Sequence, residues 1–380
     1  MIGREVLRSA LTWLAASALL CACEGGPKDP SREDGLTTLT PLPRDAAFLF
    51  VSNRGVEGDR REIFAMNAAG GNVTRITDSP YHHHLIGISR DRRHIVATRS
   101  TVDLDGDGRL DDADSGKKSV WVLDLQEKKE MRLTSEMDLA EGKSISPDGE
   151  WVVFWMQRDG DVQSDIYKIR IDGTGLVNLT DTPWPSWNEY DPAWSSDGSR
   201  IVFNRFDPAT SRVALYTMGA DGGDERMVYD PREGVATPLF PKGAYDPAWS
   251  PDDQWIAFVK SVRFTGEGEN LKAGIWNVFR IPADGRGSPL NLSEAGGHAD
   301  GAEYLPSFSP DGGSIVFSSR FHDPSNPGSA HLDIFVMDAA SGAITTRLTQ
   351  TGLSAHDMFA VWVPRDPSSA VPQSHHSAMK

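Results

Sequence analysis

The sequence DPAWSSDG at residues 191–198 recurs as DPAWSPDD at residues 246–253 and as LPSFSPDG at residues 305–312. A shorter copy, SPDG, lies at residues 146–149, and SRDR at residues 89–92 departs further from the pattern. In the three long copies, apolar residues alternate up to the aromatic residue, and the Ser, Pro, Asp and Gly that follow favour tight turns. The pattern therefore predicts a β-hairpin that is repeated along the chain.

Each turn is followed by further strand-like runs before the next copy begins about 50 residues later. In one repeat these runs are IVF at residues 201–203 and LYTM at residues 215–218, and the last run of a repeat ends in a pair such as Leu-Thr at residues 179–180. Four-stranded antiparallel repeats of this length are the blades of a β-propeller. The sequence contains six such repeats, so we expect an all-β, six-bladed β-propeller of four-stranded antiparallel blades.

The two ends of the repeat region carry complementary parts of one repeat. AFLFV at residues 47–51 matches a second strand, and FAVWVP at residues 359–364 matches a first strand. An open ring would leave an unpaired sheet edge at each end. We therefore expect the N- and C-terminal segments to pair in one shared blade and to close a domain that spans residues 46–366.

Residues 1–22 have the features of a bacterial export signal with a lipobox. A basic start precedes an apolar core at residues 9–20, which is too short to span a membrane. LCAC at residues 20–23 resembles the lipobox, which makes Cys23 the predicted lipidated residue. The alternative is a plain secretory signal with two incidental cysteines. Residues 23–45 predict the lipidated Cys and a flexible tether, and residues 367–380 predict a disordered tail.

The composition excludes two classes of interaction. A formal net charge of −16 argues against nucleic acid, because affinity for phosphates rests largely on Lys and Arg. Nothing after residue 23 approaches the run of about 20 apolar residues that a membrane helix requires, so contact with a membrane is expected only through the lipid. We expect a monomer in the bacterial cell envelope, in the periplasm or on the cell surface.

The repeat, written Trp-Ser-Pro-Asp-Gly, Ile-Val-Phe, Ile-Tyr-x-Met-x-x-Asp-Gly and Leu-Thr, resembles that of the TolB-like family over residues 45–366. In TolB itself such a propeller follows an N-terminal α/β domain and serves as a periplasmic scaffold of the Tol-Pal envelope system. Residues 24–45 are too short for that extra domain. The resemblance therefore implies a TolB-like propeller lipoprotein, and it leaves open whether the partners of TolB are shared.

An insertion in the second full repeat, DLDGDGRLDDAD at residues 103–114, reproduces the loop pattern of EF-hand and dockerin calcium sites. The spacing provides carboxylates at loop positions 1, 3, 5, 9 and 12, a backbone carbonyl at position 7 and a glycine at position 6. The predicted ligands are Asp103, Asp105, Asp107, the carbonyl of Arg109, Asp111 and Asp114. We expect a structural Ca²⁺ site, although Asp114 stands where EF-hands carry Glu. The alternative is a solvated acidic loop.

Propellers commonly bind ligands at the mouth of the central channel, near the segments that lead into the first strands. The candidate ligand-binding residues in these segments are His83, His84, Asp191, Asp246, Tyr304 and His356. The working hypothesis is a non-catalytic scaffold whose face binds an envelope protein, a peptide or a glycan.

An enzyme is the alternative hypothesis. TolB-like propellers resemble those of oligogalacturonate lyases, which leaves open a metal-assisted polysaccharide lyase that uses His83, His84 and His356. A glycan hydrolase would use paired carboxylates such as Asp191 and Asp246, but these recur at one repeat position and would equally satisfy backbone donors or set the charge of the channel. A serine peptidase is disfavoured, because the sequence has no Gly-x-Ser-x-Gly motif.

Overall fold

The computed structural model describes residues 37–158, 160–182, 187–232, 242–265, 272–320, 331–351 and 355–365. The predicted signal peptide, Cys23, most of the predicted tether and the predicted tail lie outside these residues. Within them the chain is almost entirely β-strand, with one 3₁₀ turn at Asp112–Asp114 and one short helix at Leu292–Ala295. No helix in this part of the chain is long and apolar enough to cross a membrane.

The strands follow the repeat pattern along the chain. The first thirteen are β1 (Thr38–Leu39), β2 (Ala46–Ser52), β3 (Glu62–Asn67), β4 (Thr74–Arg75), β5 (Thr77–Asp78), β6 (His82–Ile88), β7 (His94–Ser100), β8 (Ser119–Asp124), β9 (Lys129–Arg132), β10 (Leu139–Ile145), β11 (Trp151–Gln157), β12 (Asp165–Arg170) and β13 (Val177–Asn178). The others are β14 (Asn188–Trp194), β15 (Arg200–Asp207), β16 (Arg212–Gly219), β17 (Arg226–Tyr229), β18 (Lys242–Trp249), β19 (Trp255–Thr265), β20 (Lys272–Pro282), β21 (Leu290–Asn291), β22 (Glu303–Phe308), β23 (Ser314–Ser319), β24 (Asp333–Asp338), β25 (Ile344–Arg347) and β26 (Asp357–Trp362).

Consecutive strands pair antiparallel in units of four. β6–β9, β10–β13 and β22–β25 are three such sheets, each in chain order. In a fourth sheet, the C-terminal strand β26 pairs with β2, ahead of β3 and β4, and places Phe48 opposite Trp362 and Ser52 opposite Asp357. The predicted pairing of the N- and C-terminal segments in one sheet is therefore confirmed.

The expectation of six separate blades differs from the structure in one region. In the described residues, strands β14–β21 form a single eight-stranded sheet beside the four separate sheets of four strands. Parallel pairing of Arg212 with Lys242 joins two four-strand units there. The sequence did not predict this pairing, because it depends on how closely neighbouring units approach. Single backbone bridges of the same parallel kind join other neighbouring units: Lys118 to Leu139 and Trp276 to Ala302.

The first strand of each unit borders a central channel. β6, β10, β14, β18, β22 and β26 contact one another in this order, and β26 contacts β6. A cavity of about 160 Å³ lies between them and is lined by residues from all six of these strands: Leu85, Lys143, Trp194, Pro247, Leu305 and Phe359. Antiparallel sheets arranged around such a channel form a β-propeller.

Apolar residues of the second and third strands fill the space between neighbouring sheets. In one unit, Phe154 on β11 stacks on Tyr167 on β12 at a ring-centroid distance of 6.0 Å. Equivalent stacked pairs are Phe50–Phe64, Phe203–Tyr216, Phe258–Phe279 and Phe317–Phe335. Burying an aromatic side chain removes on the order of 150–250 Å² from water, so these repeated pairs dominate the core.

The turn after the first strand has one hydrogen-bond pattern. Ser250 Oγ accepts a bond from the Trp255 amide at 2.9 Å and donates to Asp252, which accepts a bond from the Gln254 amide at 3.1 Å. The same pattern occurs at Ser89, Ser146, Ser195 and Ser309. We call the end of the ring that carries these turns the turn face. The divergent SRDR copy forms the same turn, because the pattern needs Ser and Asp more than Pro and Gly.

The last residues assigned to the predicted tether have a regular structure. Residues 37–45 are part of the folded region, because β1 pairs with β5 and the Thr40 amide donates to the Ile76 carbonyl at 2.8 Å. Leu39 is buried in the core of the first sheets. One buried leucine and a two-residue strand were too little apolar pattern to stand out in a polar, Pro-containing segment.

Candidate functional site

The end of the ring opposite the turn face carries the loops between second and third strands and the segments that lead into the first strands. We call it the loop face. Three consecutive histidines stand there at the start of β6, and their side chains alternate across the sheet. His82 and His84 share one side, with ring centroids 4.7 Å apart. His83 points to the other side.

His83 belongs to a buried network inside the fold. Its Nε2 lies 3.1 Å from Ser79 Oγ and 3.5 Å from Glu62 Oε2, at the start of β3. Thr77 Oγ1 also donates to Glu62, at 2.6 Å. Burial, assisted by the charge of Arg99, lowers the pKa of His83 to about 4. His83 and His84, which the sequence analysis placed in one site, therefore face different surroundings.

On the other side of β6, His82 and His84 lie near Asp112. This residue begins the 3₁₀ turn at the end of the predicted calcium loop. His82 Nε2 lies 3.2 Å from Asp112 Oδ1. One ligand atom from each of these three residues lies within 4.8 Å of the others. Both histidines are buried, and His82 Nδ1 has no hydrogen-bond partner among the described residues.

Arg61 compensates the charge of Asp112 in this cluster. Its guanidinium donates two hydrogen bonds to the carboxylate, one of them 2.8 Å long, and its Nη1 lies 3.3 Å from His82 Nε2. Burial would raise the pKa of Asp112, but the charge of Arg61 and the contact with His82 hold this pKa well below its usual range. Burial also lowers the pKa of His82 and of His84, so both rings are neutral at pH 7.

His356 lies beside this cluster, just before β26. Its ring is tilted by 32° against that of His331 with centroids 4.5 Å apart, and its amide donates to Asn53 Oδ1 at 2.8 Å. Burial, with the charges of His331 and Arg61, lowers the pKa of His356 to about 4. The loop face thus brings together histidines from distant parts of the chain, and His356 is placed there by the pairing of β26 with β2.

The predicted calcium loop is preformed around its carboxylates. Asp103 accepts hydrogen bonds from the amides of Gly106 and Gly108, at 2.7 and 2.8 Å. Asp114 is buried and accepts bonds from the amides of Leu104 and Asp111, at 2.6 and 3.0 Å. The turn that these bonds close requires Gly108 to adopt a φ of 81°. Smaller turns within the loop are held by Asp105, Asp107 and Asp111, which accept bonds from the amides of Asp107, Arg109 and Ala113.

Three of the predicted calcium ligands approach one another. One oxygen from each of Asp103, Asp105 and Asp114 lies within 4.8 Å of the others. Burial, and the charges of the neighbouring Asp111 and Asp105, raise the pKa of Asp114. Hard oxygen donors at this spacing suit Ca²⁺.

The candidates in the channel are strand residues rather than turn residues. Asp191 on β14 and Asp246 on β18 occupy bulges of the first strands, with φ of 52° and 53°. Asp191 accepts a bond from Asn204 Nδ2 at 2.7 Å, and Asp246 accepts one from the Leu305 amide at 3.3 Å. Burial and the charge of Asp246 raise the pKa of Asp191 to about 7, and burial raises that of Asp246. Each carboxylate thus satisfies a donor on another strand.

Tyr304, the remaining channel candidate, is partly buried on β22 and packs against the core that contains β2 and β6. The sequence analysis did not identify His82, Arg61 or Asp112. Alternation along β6 was a usable signal for His82, because it places residues 82 and 84 on one side. No local signal linked Arg61 to Asp112, since they belong to loops of different sheets.

Comparison with known proteins shows relatives that are similar to part of the chain. No family model matches the chain. An uncharacterized protein of Agrobacterium fabrum is 30% identical over 147 residues, covering 37% of this chain and 46% of its own. A TolB homologue of Chlorobium luteolum is 26% identical over 195 residues, covering 51% and 35%, and the uncharacterized peptidase YuxL of Bacillus subtilis is 26% identical over 173 residues, covering 39% and 24%. The chain therefore spans less than half the length of each of these relatives.

Solved structures agree on the fold. TolB from Acinetobacter baumannii matches with a TM-score of 0.57 and 14% identity, over 84% of this chain and 67% of its own. A TolB candidate from Agrobacterium tumefaciens matches with a TM-score of 0.52 and 15% identity, over 87% of this chain and 100% of its own. The chain has the fold of the TolB-like β-propellers. Hydrazine synthase from Kuenenia stuttgartiensis reaches a TM-score of 0.58 at 13% identity, over 87% of this chain and 48% of its own, so this fold alone does not select a function.

Proposed function

We propose that the protein is a lipid-anchored β-propeller of the bacterial cell envelope that binds a protein, peptide or glycan partner on its loop face. The contrast between the two ends of the ring is the observation that carries this proposal. On the turn face, the repeated Ser and Asp side chains bond to their own turns. On the loop face, one hydroxyl per unit, such as Thr77 or Thr134, bonds a third-strand amide in the same way, but the His, Arg and Trp side chains around it differ from one unit to the next. Such variation is expected where a specific surface has been added to a repeated scaffold.

An exposed aromatic residue supports binding at the loop face. Trp187 precedes β14 and is 41% exposed, and the guanidinium of Arg205 lies 4.6 Å from its ring centroid. Arg205 is fixed by ion pairs to Glu189 and Glu225, at 2.8 and 2.6 Å. A pre-ordered tryptophan beside an anchored arginine is typical of residues that contribute most to protein and glycan binding.

The proposal includes six blades. The eight-stranded sheet consists of two four-strand units in the same order as the other sheets, and the parallel pairing that joins them has single-bridge counterparts elsewhere in the ring. Counted as two blades, this sheet raises the number of blades to six, which equals the number of first strands around the channel.

The proposal also includes lipidation of Cys23, with the segment up to residue 36 as the tether to the membrane.

The proposal also includes a structural Ca²⁺ ion in the loop at residues 103–114. The bonds from backbone amides already hold Asp103 and Asp114 in the loop conformation, and a cation would offset the repulsion among the carboxylates. Calcium concentrations outside the cytoplasm suit a site of the weaker, extracellular class.

Crosslinking in intact envelopes tests the scaffold. Wild-type protein and a Trp187→Ala variant are crosslinked and purified in parallel, with Arg286→Ala, an exposed change away from the loop face, as the matched control. We expect one reproducible partner with the wild type and with Arg286→Ala, and a clear loss of that partner with Trp187→Ala. An identical set of crosslinked molecules for all three proteins would contradict binding at the loop face.

A metal-assisted lyase or glycan hydrolase is the second candidate. The cluster of His82, His84 and Asp112 favours it, because two imidazoles and a carboxylate are the protein ligands of many catalytic metal sites. Asp191 and Asp246 give weaker support, since each already accepts a hydrogen bond from another strand. Release of shortened or unsaturated sugars from envelope polysaccharides would favour the enzyme over the scaffold.

A further inference from the structure

We propose that His82, His84 and Asp112 form a site for one divalent transition-metal ion of the zinc class, and that the calcium loop, to which Asp112 belongs, holds Asp112 in this site. The first part stands on the geometry of the three side chains alone. The second part rests on the proposed calcium site.

The donor set selects the class of metal. Imidazole nitrogens suit zinc, cobalt and other first-row transition metals, whereas calcium and magnesium take oxygen ligands. Metal–nitrogen and metal–oxygen bonds of about 2.0–2.2 Å put the ligand atoms of one ion roughly 3–4 Å apart. The ligand atoms of His82, His84 and Asp112 lie within 4.8 Å of one another, so small side-chain movements bring them to one ion.

The site already attracts a cation. The guanidinium of Arg61 occupies the space beside Asp112 and His82, with Nη1 2.8 Å from the carboxylate and 3.3 Å from the imidazole. When a metal ion binds, it replaces the guanidinium as the cation beside Asp112 and His82, and the side chain of Arg61 moves away from these two ligands. His82 Nε2 lies 3.2 Å from Asp112 Oδ1, so it is the nitrogen of this ring that is positioned to bind the ion. Nδ1, on the other edge of the ring, has no hydrogen-bond partner among the described residues.

A hydroxyl group orients the second imidazole. Ser100 Oγ donates to the carbonyl of Asp114 at 3.3 Å and lies 2.8 Å from His84 Nε2. Because the serine proton points to Asp114, the hydroxyl oxygen accepts the proton on His84 Nε2. The lone pair of neutral His84 is then on Nδ1, available to a metal. Second-shell bonds of this kind fix the tautomer of metal-bound histidines.

The same contacts link the two metal sites. Asp112 lies between Asp111 and Asp114, whose carboxylates belong to the calcium loop, and Asp114 is joined to His84 through Ser100. The capping bonds of the 3₁₀ turn set the direction of Asp112 relative to its neighbours. Ordering of the loop by Ca²⁺ therefore places Asp112 beside the two histidines, and by linkage each ion favours binding of the other.

The three consecutive histidines provide a matched test. Full-length wild type and the variants His82→Gln, His84→Gln and His83→Gln are freed of metal with a chelator and titrated with Co²⁺, which reports coordination by its visible absorption, and with Zn²⁺ by calorimetry. We expect one bound ion in the wild type and in His83→Gln, whose side chain faces away. We expect no detectable site in His82→Gln or His84→Gln. Wild-type affinity in these two variants, or an absence of binding in the wild type, would overturn the proposal.

The coupling is tested with Asp105→Ala, which alters the calcium loop and leaves the three proposed ligands intact. With Ca²⁺ present, we expect this variant to bind Co²⁺ about 10-fold more weakly than the wild type. Equal Co²⁺ affinity with and without Ca²⁺ in the wild type would remove the coupling and leave the transition-metal site. Loss of Co²⁺ binding with normal Ca²⁺ binding in His82→Gln would confirm that the two sites are distinct.

Discussion

The turn face and the loop face are made from the same repeats, yet they differ in how their polar side chains are bonded. At Ser89 in the divergent copy and at Ser250 in a regular one, the turn face repeats one network of bonds. The loop face adds ion pairs that occur once, such as Arg61 with Asp112 between neighbouring sheets and Arg54 with Asp357 between the two ends of the chain. Repeated chemistry therefore builds the ring, and the unrepeated contacts that the ring creates are the place to look for function.

The largest expected effect comes from removing β26, the strand that closes the ring and extends from one face to the other. Deleting residues 355–365 takes β26 away from β2 and removes the ion pair of Asp357 with Arg54 and the Trp362 Nε1 bond to the Ser307 carbonyl. An open edge and exposed core residues should lower Tm by more than about 10 °C and broaden the transition, as followed by circular dichroism. Deleting residues 367–380 is the control and should change nothing. A cooperative transition at the parent temperature after the first deletion would mean that the ring does not need closure.

The next largest effect concerns the loop face alone. At a Ca²⁺ concentration 100 times its dissociation constant, binding should stabilise the wild type by about 2.7 kcal/mol. Asp105→Ala should lose most of this gain, because it removes an oxygen donor from the cluster with Asp103 and Asp114. Thermal unfolding with and without Ca²⁺ measures the gain, and Asp284→Ala, an exposed change outside the loop, should keep it. If Ca²⁺ does not raise the Tm of the wild type, the loop is a hydrogen-bonded turn that binds no cation.

Much of the fold could be predicted from the sequence because its signals are local and repeated. The turn residues, the alternation of apolar residues and the incomplete repeats at 47–51 and 359–364 gave the strands, the propeller and its closure. The parallel joining of two units into an eight-stranded sheet and the folding of residues 37–45 were not predicted, because both depend on contacts between distant segments.

The candidate site divides in the same way. The carboxylates at residues 103–114 follow a spacing along one loop, so the sequence alone could propose a site there. Arg61 and Asp112 are 21 and 30 residues from His82 along the chain. Asp112 reaches His82 from the loop between β7 and β8 of the same sheet, and Arg61 reaches both from the neighbouring sheet. The alternation of side chains along β6 could be read from the sequence, and it places residues 82 and 84 on one side of the strand. Which side faces the site could not be predicted, because that depends on where the neighbouring sheets lie.

A smaller effect measures how uniform the turn face is. Changing Ser250, Ser195 or Ser89 to Ala removes a hydroxyl that bonds one backbone amide and one Asp, at buried positions. Each substitution should lower the free energy of unfolding by about 1–2 kcal/mol, measured in urea. The cost should be similar in the divergent copy and in the regular copies. A negligible cost for Ser89→Ala would show that its copy has lost the function of the turn, and Ser341→Ala serves as the exposed control.

The smallest effect tests the last of the two positions at which the divergent turn SRDR departs from SPDG. Arg92 adopts a φ of 63°, where the regular turn has Gly149 with a φ of 79°. A side chain in this left-handed region costs about 1–2 kcal/mol, so Arg92→Gly should stabilise the protein by about 1 kcal/mol, less the small loss of the Arg92 bond to the Pro43 carbonyl. The reverse change, Gly149→Ala, should destabilise it by a similar amount, because a Cβ there meets no neighbouring atom within 4 Å and only the backbone conformation is strained. Equal and opposite shifts in urea midpoints would establish that backbone conformation sets the energetic difference at this position, whereas a destabilised Arg92→Gly would show that the arginine side chain contributes more than its backbone strain costs.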